Sequence, residues 1–214
     1  MNDFAGWKDS DNLARNKAVF LDRDGVLNEL VYSKSEGRVG SPFTASELRL
    51  IPRAAEAIKR IQQMGFKTII ISNQPGVAKK QFTYDEFEKM KTKIRKSLAK
   101  DGCILDGEYY CLHSMSALVK KYKLNCNCKK PKPGLLIQAA TENEISLSKS
   151  YFVGDGLVDV KAGAAVGCKT VLISHMTNFL NEIMSKQKTF PDYLVDSLND
   201  VPKLLASQNK KILG

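Results

Sequence analysis

Apolar residues along this chain form two patterns. Continuous apolar runs are typical of strands buried on both faces, and periodically spaced apolar residues are typical of amphipathic helices. Residues 66–72 form a β-branched and apolar run, as expected of a strand that is covered on both sides. Residues 52–64 carry apolar side chains at positions i, i+3, i+4 and i+7, which predicts a helix with Pro52 in its first turn and Gly65 just past its end. Residues 83–100 show a similar stripe after a capping-box sequence and predict a second helix.

The remaining segments continue this alternation of strands and helices. Further strands are predicted at residues 17–22, 108–112, 151–154, 169–174 and 193–195, and further helices within residues 133–145, at 157–166, from about 178, and at 200–206. Such alternation is typical of a parallel sheet with helices on both faces. We therefore predict an α/β fold, a Rossmann-like three-layer sandwich with a parallel central sheet. The gaps between its elements are too short for a large cap domain.

The length and composition fit one domain over residues 1–214, with a polar N-terminal extension at residues 1–16. No apolar run approaches the roughly 20 residues that are needed to span a bilayer. The N-terminus lacks an apolar segment like that of a signal peptide. We therefore expect a cytoplasmic monomer with no membrane partner.

The net charge of +10 favours an acidic partner. Nucleic acid, anionic lipid and phosphorylated metabolites all meet that description, and the charge alone does not choose between them. A lysine-rich surface that is simply solvated is the plainer interpretation of the same number.

Carboxylates follow two of the predicted strands. Asp22 and Asp24 come after the first strand, and Asp155 and Asp159 after the strand at 151–154. Carboxyl ends of parallel strands share one edge of a sheet, so these groups are expected to meet there. Neighbouring carboxylates repel each other, and a divalent cation such as Mg²⁺ relieves the repulsion. An Asp-x-Asp-Gly sequence alone is more often a turn, but the second acidic motif makes that interpretation insufficient.

Two further segments supply groups that bind phosphate oxygens. Ser72 and Asn73 follow the strand at 66–72, where a hydroxyl and a carboxamide are able to donate hydrogen bonds. Lys130 supplies a positive charge in a loop that two prolines stiffen. Taken singly, these residues fit a simple turn and a solvated lysine equally well.

Four potential zinc ligands are clustered in a loop at residues 111–128. Cys111 and His113 form one short pair, and Cys126 and Cys128 form another. Three thiols and one imidazole match a closed tetrahedral structural zinc site. A disulfide and unrelated buried cysteines are the alternatives, and the presence of His113 within the cluster favours zinc.

Together, these motifs resemble the haloacid dehalogenase superfamily of phosphatases. The resemblance covers residues 17–174 and includes four motifs in order: Asp22-Arg23-Asp24-Gly25, Ser72-Asn73, Lys130, and Gly154-Asp155 with Asp159. More narrowly, residues 20–25, 72–78 and 128–134 resemble the heptose bisphosphate and histidinol-phosphate phosphatases of that superfamily.

The resemblance implies a role for each motif. Asp22 is expected to attack phosphorus and form an aspartyl-phosphate, while Asp24 protonates the leaving oxygen and then activates water. Ser72 and Lys130 are expected to hold the transferring phosphoryl group. The expected Mg²⁺ ligands are Asp22, the backbone carbonyl of Asp24 and Asp155, with Asp159 nearby. Zinc is expected to have a structural role.

The expected substrate is a small phosphorylated metabolite, first of all the 7-phosphate of D-glycero-D-manno-heptose 1,7-bisphosphate. Histidinol phosphate, another phosphosugar and 3′-phosphorylated DNA remain alternatives, so nucleic acid is not excluded. Asn73, Lys129 and Arg38 are candidate substrate contacts. The chain differs from the heptose enzymes in four respects. It has Lys129 where they commonly have Arg, Gly156 where they usually have Lys, Ser72 where Thr is more usual, and a longer loop at residues 32–50 that is able to form a flap.

Overall fold

A six-stranded parallel sheet forms the centre of this computed structural model, which describes residues 16–34, 37–174 and 178–212. In chain order, the strands of the sheet are β1 (Lys17–Leu21), β4 (Phe66–Asn73), β5 (Gly107–Cys111), β6 (Tyr151–Gly154), β7 (Lys169–Ile173) and β8 (Tyr193–Val195). Their spatial order is β5-β4-β1-β6-β7-β8, and every pairing is parallel. Strands β2 (Val31–Ser33) and β3 (Arg38–Gly40) form a separate antiparallel hairpin.

Six helices complete the described part of the chain. They are α1 (Ala54–Gln63), α2 (Tyr84–Lys100), α3 (Gly134–Asn143), α4 (Leu157–Ala164), α5 (Asn178–Gln187) and α6 (Val201–Ile212), with short 3-10 turns at Lys120–Tyr122 and Leu198–Asp200. The predicted N-terminal extension lies outside the described residues except for Asn16, which bridges to Ile145.

Side chains of β1 alternate between two apolar layers. Val19 and Leu21 pack in a cluster with buried residues of α1, α2 and α6, whereas Ala18 and Phe20 pack with buried residues of α3 and α4. Burial of a side chain as large as Leu21 contributes about 1.5–3 kcal/mol, so both layers stabilise the sheet. The predicted three-layer sandwich is confirmed.

Helix ends follow the sequence signals with one exception. The Thr83 hydroxyl accepts a hydrogen bond from the Glu86 backbone N–H at 3.1 Å, as the capping sequence of α2 predicts. Gly65 follows the end of α1 with a φ of 80°. The prediction that Pro52 lies in the first turn of α1 is wrong. Arg53 has a φ of 63°, outside the right-handed region, and α1 therefore begins at Ala54.

The strand order places a topological switch point at β1. Strand β4 pairs with one side of β1 and β6 with the other, so the strands after β1 are added first toward one edge of the sheet and then toward the opposite edge. Parallel α/β sheets bind ligands in the crevice at such a point, outside the carboxyl ends of the strands. Between the strands of the sheet, the described residues hold only helices, the small hairpin and the 3-10 turns, which confirms that there is no large cap domain. Among those same residues, no helix is long and apolar enough to cross a membrane.

Candidate active site

Asp22 stands at the carboxyl end of β1, directly beside β6. Its backbone N–H donates to the Val153 carbonyl at 2.9 Å, which continues the β1–β6 pairing by one residue. Its Oδ1 accepts a hydrogen bond from the Arg23 N–H at 2.7 Å. Its Oδ2 lies 3.0 Å from Lys130 Nζ. The carboxylate is therefore fixed on both oxygens at the switch point.

Asp155 and Asp159 lie next to Asp22. Each of the three residues offers a carboxylate oxygen, and these oxygens lie within 4.8 Å of one another. Two glycines permit this approach. A Cβ added to Gly25 would lie 2.2 Å from Asp155 Oδ2, and one added to Gly154 would lie 2.2 Å from Asp159 Cβ. Gly25 also has a φ of 76°, a conformation that side chains disfavour.

The charges of this cluster fit a divalent cation. The pKa of Asp155 is raised to about 7, because surrounding protein atoms partly desolvate the carboxyl group of this otherwise exposed residue and because it faces the carboxylates of Asp22 and Asp159. With all carboxylates ionised, Asp22, Asp24, Asp155 and Asp159 face one guanidinium (Arg23) and one ammonium (Lys130), a formal excess of two negative charges. Carboxylate oxygens are the ligands that Mg²⁺ prefers, so Asp22, Asp155 and Asp159 are able to hold it.

Lys130 is buried, with 3% of its surface exposed, and its ammonium group contacts three acceptors. Nζ lies 3.0 Å from Asp22 Oδ2, 2.6 Å from Asp159 Oδ1 and 3.0 Å from the Ile71 carbonyl oxygen. Burial acts to lower the pKa of Lys130, but the carboxylates of Asp22 and Asp159 outweigh it and raise that pKa above its ordinary value. Lys130 therefore carries a positive charge and joins the ends of β1 and β4 to α4.

Ser72 and Asn73, the last two residues of β4, make different contacts. Asn73 binds the backbone of Lys130 twice: its Oδ1 accepts from the Lys130 N–H at 3.0 Å, and its Nδ2 donates to the Lys130 carbonyl at 3.1 Å. Asn73 thus anchors the loop that carries the lysine, and a contact with substrate stays a prediction. Ser72 is buried and its Oγ accepts from Gln74 Nε2 at 3.2 Å.

Asp24 lies in a set of hydrogen-bond donors that the sequence analysis did not single out. The Arg23 guanidinium binds it with Nε and Nη2, Asn28 Nδ2 donates to Oδ1 at 3.0 Å, and Gln74 Nε2 donates to Oδ2 at 2.7 Å. Burial acts to raise the pKa of Asp24, but Arg23, Asn28 and Gln74 together hold it below its ordinary value. Because Arg23 is completely buried, it is a structural partner of Asp24.

The four predicted zinc ligands converge at the end of β5. Cys111 Sγ lies 3.6 Å from Cys126 Sγ and 3.1 Å from Cys128 Sγ, and His113 Nδ1 lies 3.3 Å from Cys128 Sγ. A tetrahedral zinc ion with bonds of about 2.0–2.3 Å would hold its ligands roughly 3.5–3.8 Å apart. The sulfur separations exceed a disulfide bond, and all five cysteines are free of disulfides. The donor set therefore fits zinc.

Two candidate substrate contacts lie at the periphery. Arg38 is exposed in β3, where it faces Ser33 across the hairpin, and Lys129 is partly buried between Cys128 and Lys130. The loop predicted as a flap includes most of the β2–β3 hairpin, and residues 35–36 lie outside the described residues. The roles of Arg38 and Lys129 in substrate binding stay predictions.

A parallel sheet with acidic loops at its switch point indicates a hydrolase of the Rossmann-like class, and comparison with known proteins identifies the family. The model of the haloacid dehalogenase-like hydrolases matches residues 31–167. The chain belongs to this family, which confirms the resemblance found in the sequence. Phosphatases of the family are Mg²⁺-dependent phosphoric monoester hydrolases, and this chain is an enzyme of that kind.

Individual relatives are similar over nearly the whole chain. The chain is 34% identical over 195 residues to the D-glycero-beta-D-manno-heptose-1,7-bisphosphate 7-phosphatase of Haemophilus influenzae, which covers 91% of this chain and 100% of that protein. The enzyme of the same name from Escherichia coli K12 is 32% identical over 90% of this chain and 95% of its own length. A solved structure, the D,D-heptose 1.7-bisphosphate phosphatase from B. bronchiseptica complexed with magnesium and phosphate, superposes with a TM-score of 0.73. It is 25% identical and covers 90% of this chain and 99% of that one.

Proposed function

We propose that this enzyme removes the 7-phosphate of D-glycero-β-D-manno-heptose 1,7-bisphosphate through an aspartyl-phosphate on Asp22. The observation that carries the reaction is the convergence of Asp22, Asp155 and Asp159 on the buried Lys130. The substrate is supported by the names of relatives that match 90–91% of the chain.

In the first step the Asp22 carboxylate attacks phosphorus. The acyl-phosphate bond between an Asp22 oxygen and phosphorus forms while the bond between phosphorus and the sugar oxygen breaks, and Asp24 gives its proton to that oxygen. Asp24 is held ionised in the free site, so its acid role requires that the anionic phosphoryl group raises its pKa on binding. Bound Mg²⁺ supplies positive charge that offsets the charge of the phosphoryl oxygens.

In the second step water attacks phosphorus and gives its proton to Asp24. The acyl-phosphate bond between Asp22 and phosphorus breaks, inorganic phosphate leaves, and Asp22 returns to its carboxylate form. Lys130 and Ser72 hold the phosphoryl oxygens in both steps, since an ammonium 3.0 Å from Asp22 Oδ2 lies beside the position of the transferring group. Asn73 supports them through the Lys130 backbone.

Replacing Asp22 by Asn tests the covalent mechanism. The variant keeps the shape of the side chain and loses the nucleophile, so we expect kcat to fall at least about 10³-fold while the thermal unfolding midpoint stays close to that of the wild type. Activity is measured as phosphate release with Mg²⁺ present, and folding by circular dichroism. Wild-type turnover in Asp22→Asn would refute the assignment of the nucleophile.

The substrate is tested separately with a panel of phosphate esters. Heptose 1,7-bisphosphate is expected to give the highest kcat/KM, above histidinol phosphate, other phosphosugars and 3′-phosphorylated DNA. A preference for the DNA substrate, together with salt-sensitive DNA binding, would replace the metabolic proposal. The prediction that the enzyme acts as a cytoplasmic monomer is part of the same proposal, and its mass in solution is checked by sedimentation.

Cys111, His113, Cys126 and Cys128 are proposed to bind one structural zinc ion. The support is the convergence of three sulfurs and one imidazole nitrogen, with four of their separations between 3.1 and 3.8 Å, close to the spacing of tetrahedral zinc ligands. Four protein ligands leave no open position for catalysis. Elemental analysis of protein purified without chelators is expected to give one zinc per chain, and protein without zinc would contradict the proposal.

A further inference from the structure

Gln74 connects the two sides of the active site through a single amide group. Its Nε2 donates to Asp24 Oδ2 at 2.7 Å and to Ser72 Oγ at 3.2 Å, so both N–H bonds of the amide are used. The side chain is buried, with 2% of its surface exposed. Its backbone is also fixed, because the Gln74 N–H donates to the Cys111 carbonyl at 2.7 Å.

The chemistry of Asp24 determines which way this amide faces. An ionised carboxylate only accepts hydrogen bonds, so the nitrogen of the Gln74 amide, and not its oxygen, has to point at Asp24. The second hydrogen bond, to Ser72, fixes the plane of the amide. A side chain that is buried and held at both N–H bonds has little freedom to turn.

The donors around Asp24 divide between its two oxygens. Arg23 Nε and Asn28 Nδ2 both donate to Oδ1, at 3.0 Å each, and Arg23 Nη2 lies 2.9 Å from Oδ1 and 3.1 Å from Oδ2. Gln74 makes the shortest contact of the set, and it is to Oδ2. Because Gln74 also touches Ser72, Oδ2 is the oxygen on the phosphoryl side.

We infer that Gln74 is a positioning residue that holds Oδ2 of Asp24 toward the leaving oxygen of the substrate. The inference rests on the proposed function, in which Asp24 is the general acid and base. Asn28 binds only the remote oxygen Oδ1, Arg23 reaches both oxygens, and Gln74 makes the shortest contact to Oδ2, the oxygen that is presented to the substrate. Both N–H bonds of the Gln74 amide are directed at Asp24 and Ser72, so Gln74 acts through these two residues.

The test compares two leaving groups. An aliphatic phosphate ester needs a proton on its departing alkoxide, whereas 4-nitrophenyl phosphate releases a stable anion without one. In Gln74→Met, which has similar length and no N–H, we expect kcat for the aliphatic ester chosen from the substrate panel to fall by about 10² or more. The first turnover of 4-nitrophenyl phosphate is expected to stay close to that of the wild type. A burst of nitrophenolate should follow, because the second step also needs Asp24.

Control variants separate this inference from its alternatives. Asp24→Asn should show the same selective loss, and if it does not, the proposed general acid is wrong whatever Gln74 does. Ser72→Ala should slow both substrates alike, and Gln63→Met, an exposed glutamine substitution on α1, should slow neither. If Gln74→Met does not fold, Gln74→Glu keeps the shape of the side chain and places a second carboxylate beside Asp24, with the same selective loss expected. An equal loss on both substrates, without a burst, would overturn the inference.

Discussion

At the scale of single residues, the cation site depends on the glycine at position 25 as much as on the carboxylates. Asp155 occupies the volume that a Cβ on Gly25 would need, and Gly25 has a positive φ as well. Two separate costs would therefore follow from any substitution: backbone strain of about 1–3 kcal/mol and displacement of Asp155. Gly167 has the same φ of 76°, with nothing within 4 Å of its missing Cβ.

The pair Gly25→Ala and Gly167→Ala separates these two effects. Both variants should lose a similar free energy of unfolding from strain, but only Gly25→Ala pushes Asp155 away from Asp22. We expect kcat/KM to fall at least about 10²-fold in Gly25→Ala, because a displacement of 1 Å at a reacting centre has an effect of that size. Gly167→Ala should keep wild-type activity. Equal activities, measured at saturating Mg²⁺, would contradict the steric role of Gly25.

The charged residues of the site could be predicted from the sequence more readily than the residues that hold them in place. Asp22, Asp155, Asp159 and Lys130 follow strand ends or stiff loops, where a pattern places them at one edge of the sheet. Gln74 lies 50 positions from Asp24, and no local period indicates that the two touch. Arg23 lies within a motif, but its complete burial depends on packing that only the folded chain shows.

At the scale of strands and helices, the two edge strands of the sheet are held by the same device. An aspartate precedes each of them and binds a buried threonine on the neighbouring strand. Asp106 Oδ2 accepts from the Thr68 N–H at 2.8 Å and lies 3.2 Å from its Oγ1, while Asp192 Oδ2 accepts from the Thr170 N–H at 2.8 Å and from its Oγ1 at 2.9 Å. Each aspartate thus fixes the start of β5 or β8.

Substitution of Asp192 measures how much its contact with Thr170 contributes to the free energy of unfolding. Asp192→Ala leaves the buried N–H of Thr170 without its acceptor, so the free energy of unfolding should fall by about 1–3 kcal/mol. Asp192→Asn keeps a carbonyl oxygen and should lose less. Urea unfolding at neutral pH compares the three proteins, and an alanine variant as stable as the wild type would contradict the role given to Asp192.

Asp192 also makes the stability of the fold depend on pH. Burial acts to raise the pKa of Asp192, but hydrogen bonds from Thr170 and the nearby Lys169 hold it below 3.8. A lowered pKa in the folded state adds stability above pH 3.8, and that stability is lost as the pH falls through the folded pKa. The advantage of wild type over Asp192→Asn should therefore shrink below about pH 3.8.

Most of the helices and strands could be predicted because their apolar patterns are regular and extend over many residues. Strand β4 and helix α2 follow their apolar patterns closely, and their burial in the structure matches those patterns. The β2–β3 hairpin was predicted only as a flap-forming loop, since strands of three residues are too short to show a period. The start of α1 was misplaced because a positive φ at Arg53 is a tertiary constraint that Pro52 does not reveal.

At the scale of the whole molecule, the zinc loop and the catalytic edge of the sheet are joined by backbone contacts. The Gln74 N–H donates to the Cys111 carbonyl, Asn73 binds the Lys130 backbone, and the Gly134 N–H donates to the Asn127 carbonyl at 3.0 Å. Metal held by Cys126 and Cys128 would therefore restrain Lys130, which lies two residues after Cys128. Zinc would stabilise the site without taking part in the reaction.

Loss of zinc should consequently reduce activity while the sheet stays folded. We expect Cys126→Ser to lose the metal and to lower kcat/KM by about tenfold or more, because the loop no longer holds Lys130 in place. Cys103→Ser, a buried cysteine outside the cluster, should keep one zinc per chain. Zinc content by elemental analysis and activity are measured on the same samples. Full activity in metal-free Cys126→Ser would show that the loop orders itself.

The distribution of charge has a consequence for how reactants arrive. The chain as a whole carries +10, yet the carboxylates at the switch point exceed their internal cations by two charges. From far away the protein attracts a phosphorylated anion, and only at short range does it attract a cation. Added salt weakens the distant attraction first, because screening acts over about 10 Å and hardly reaches buried groups. Ionic strength should therefore govern the capture of the ester more strongly than the retention of the metal.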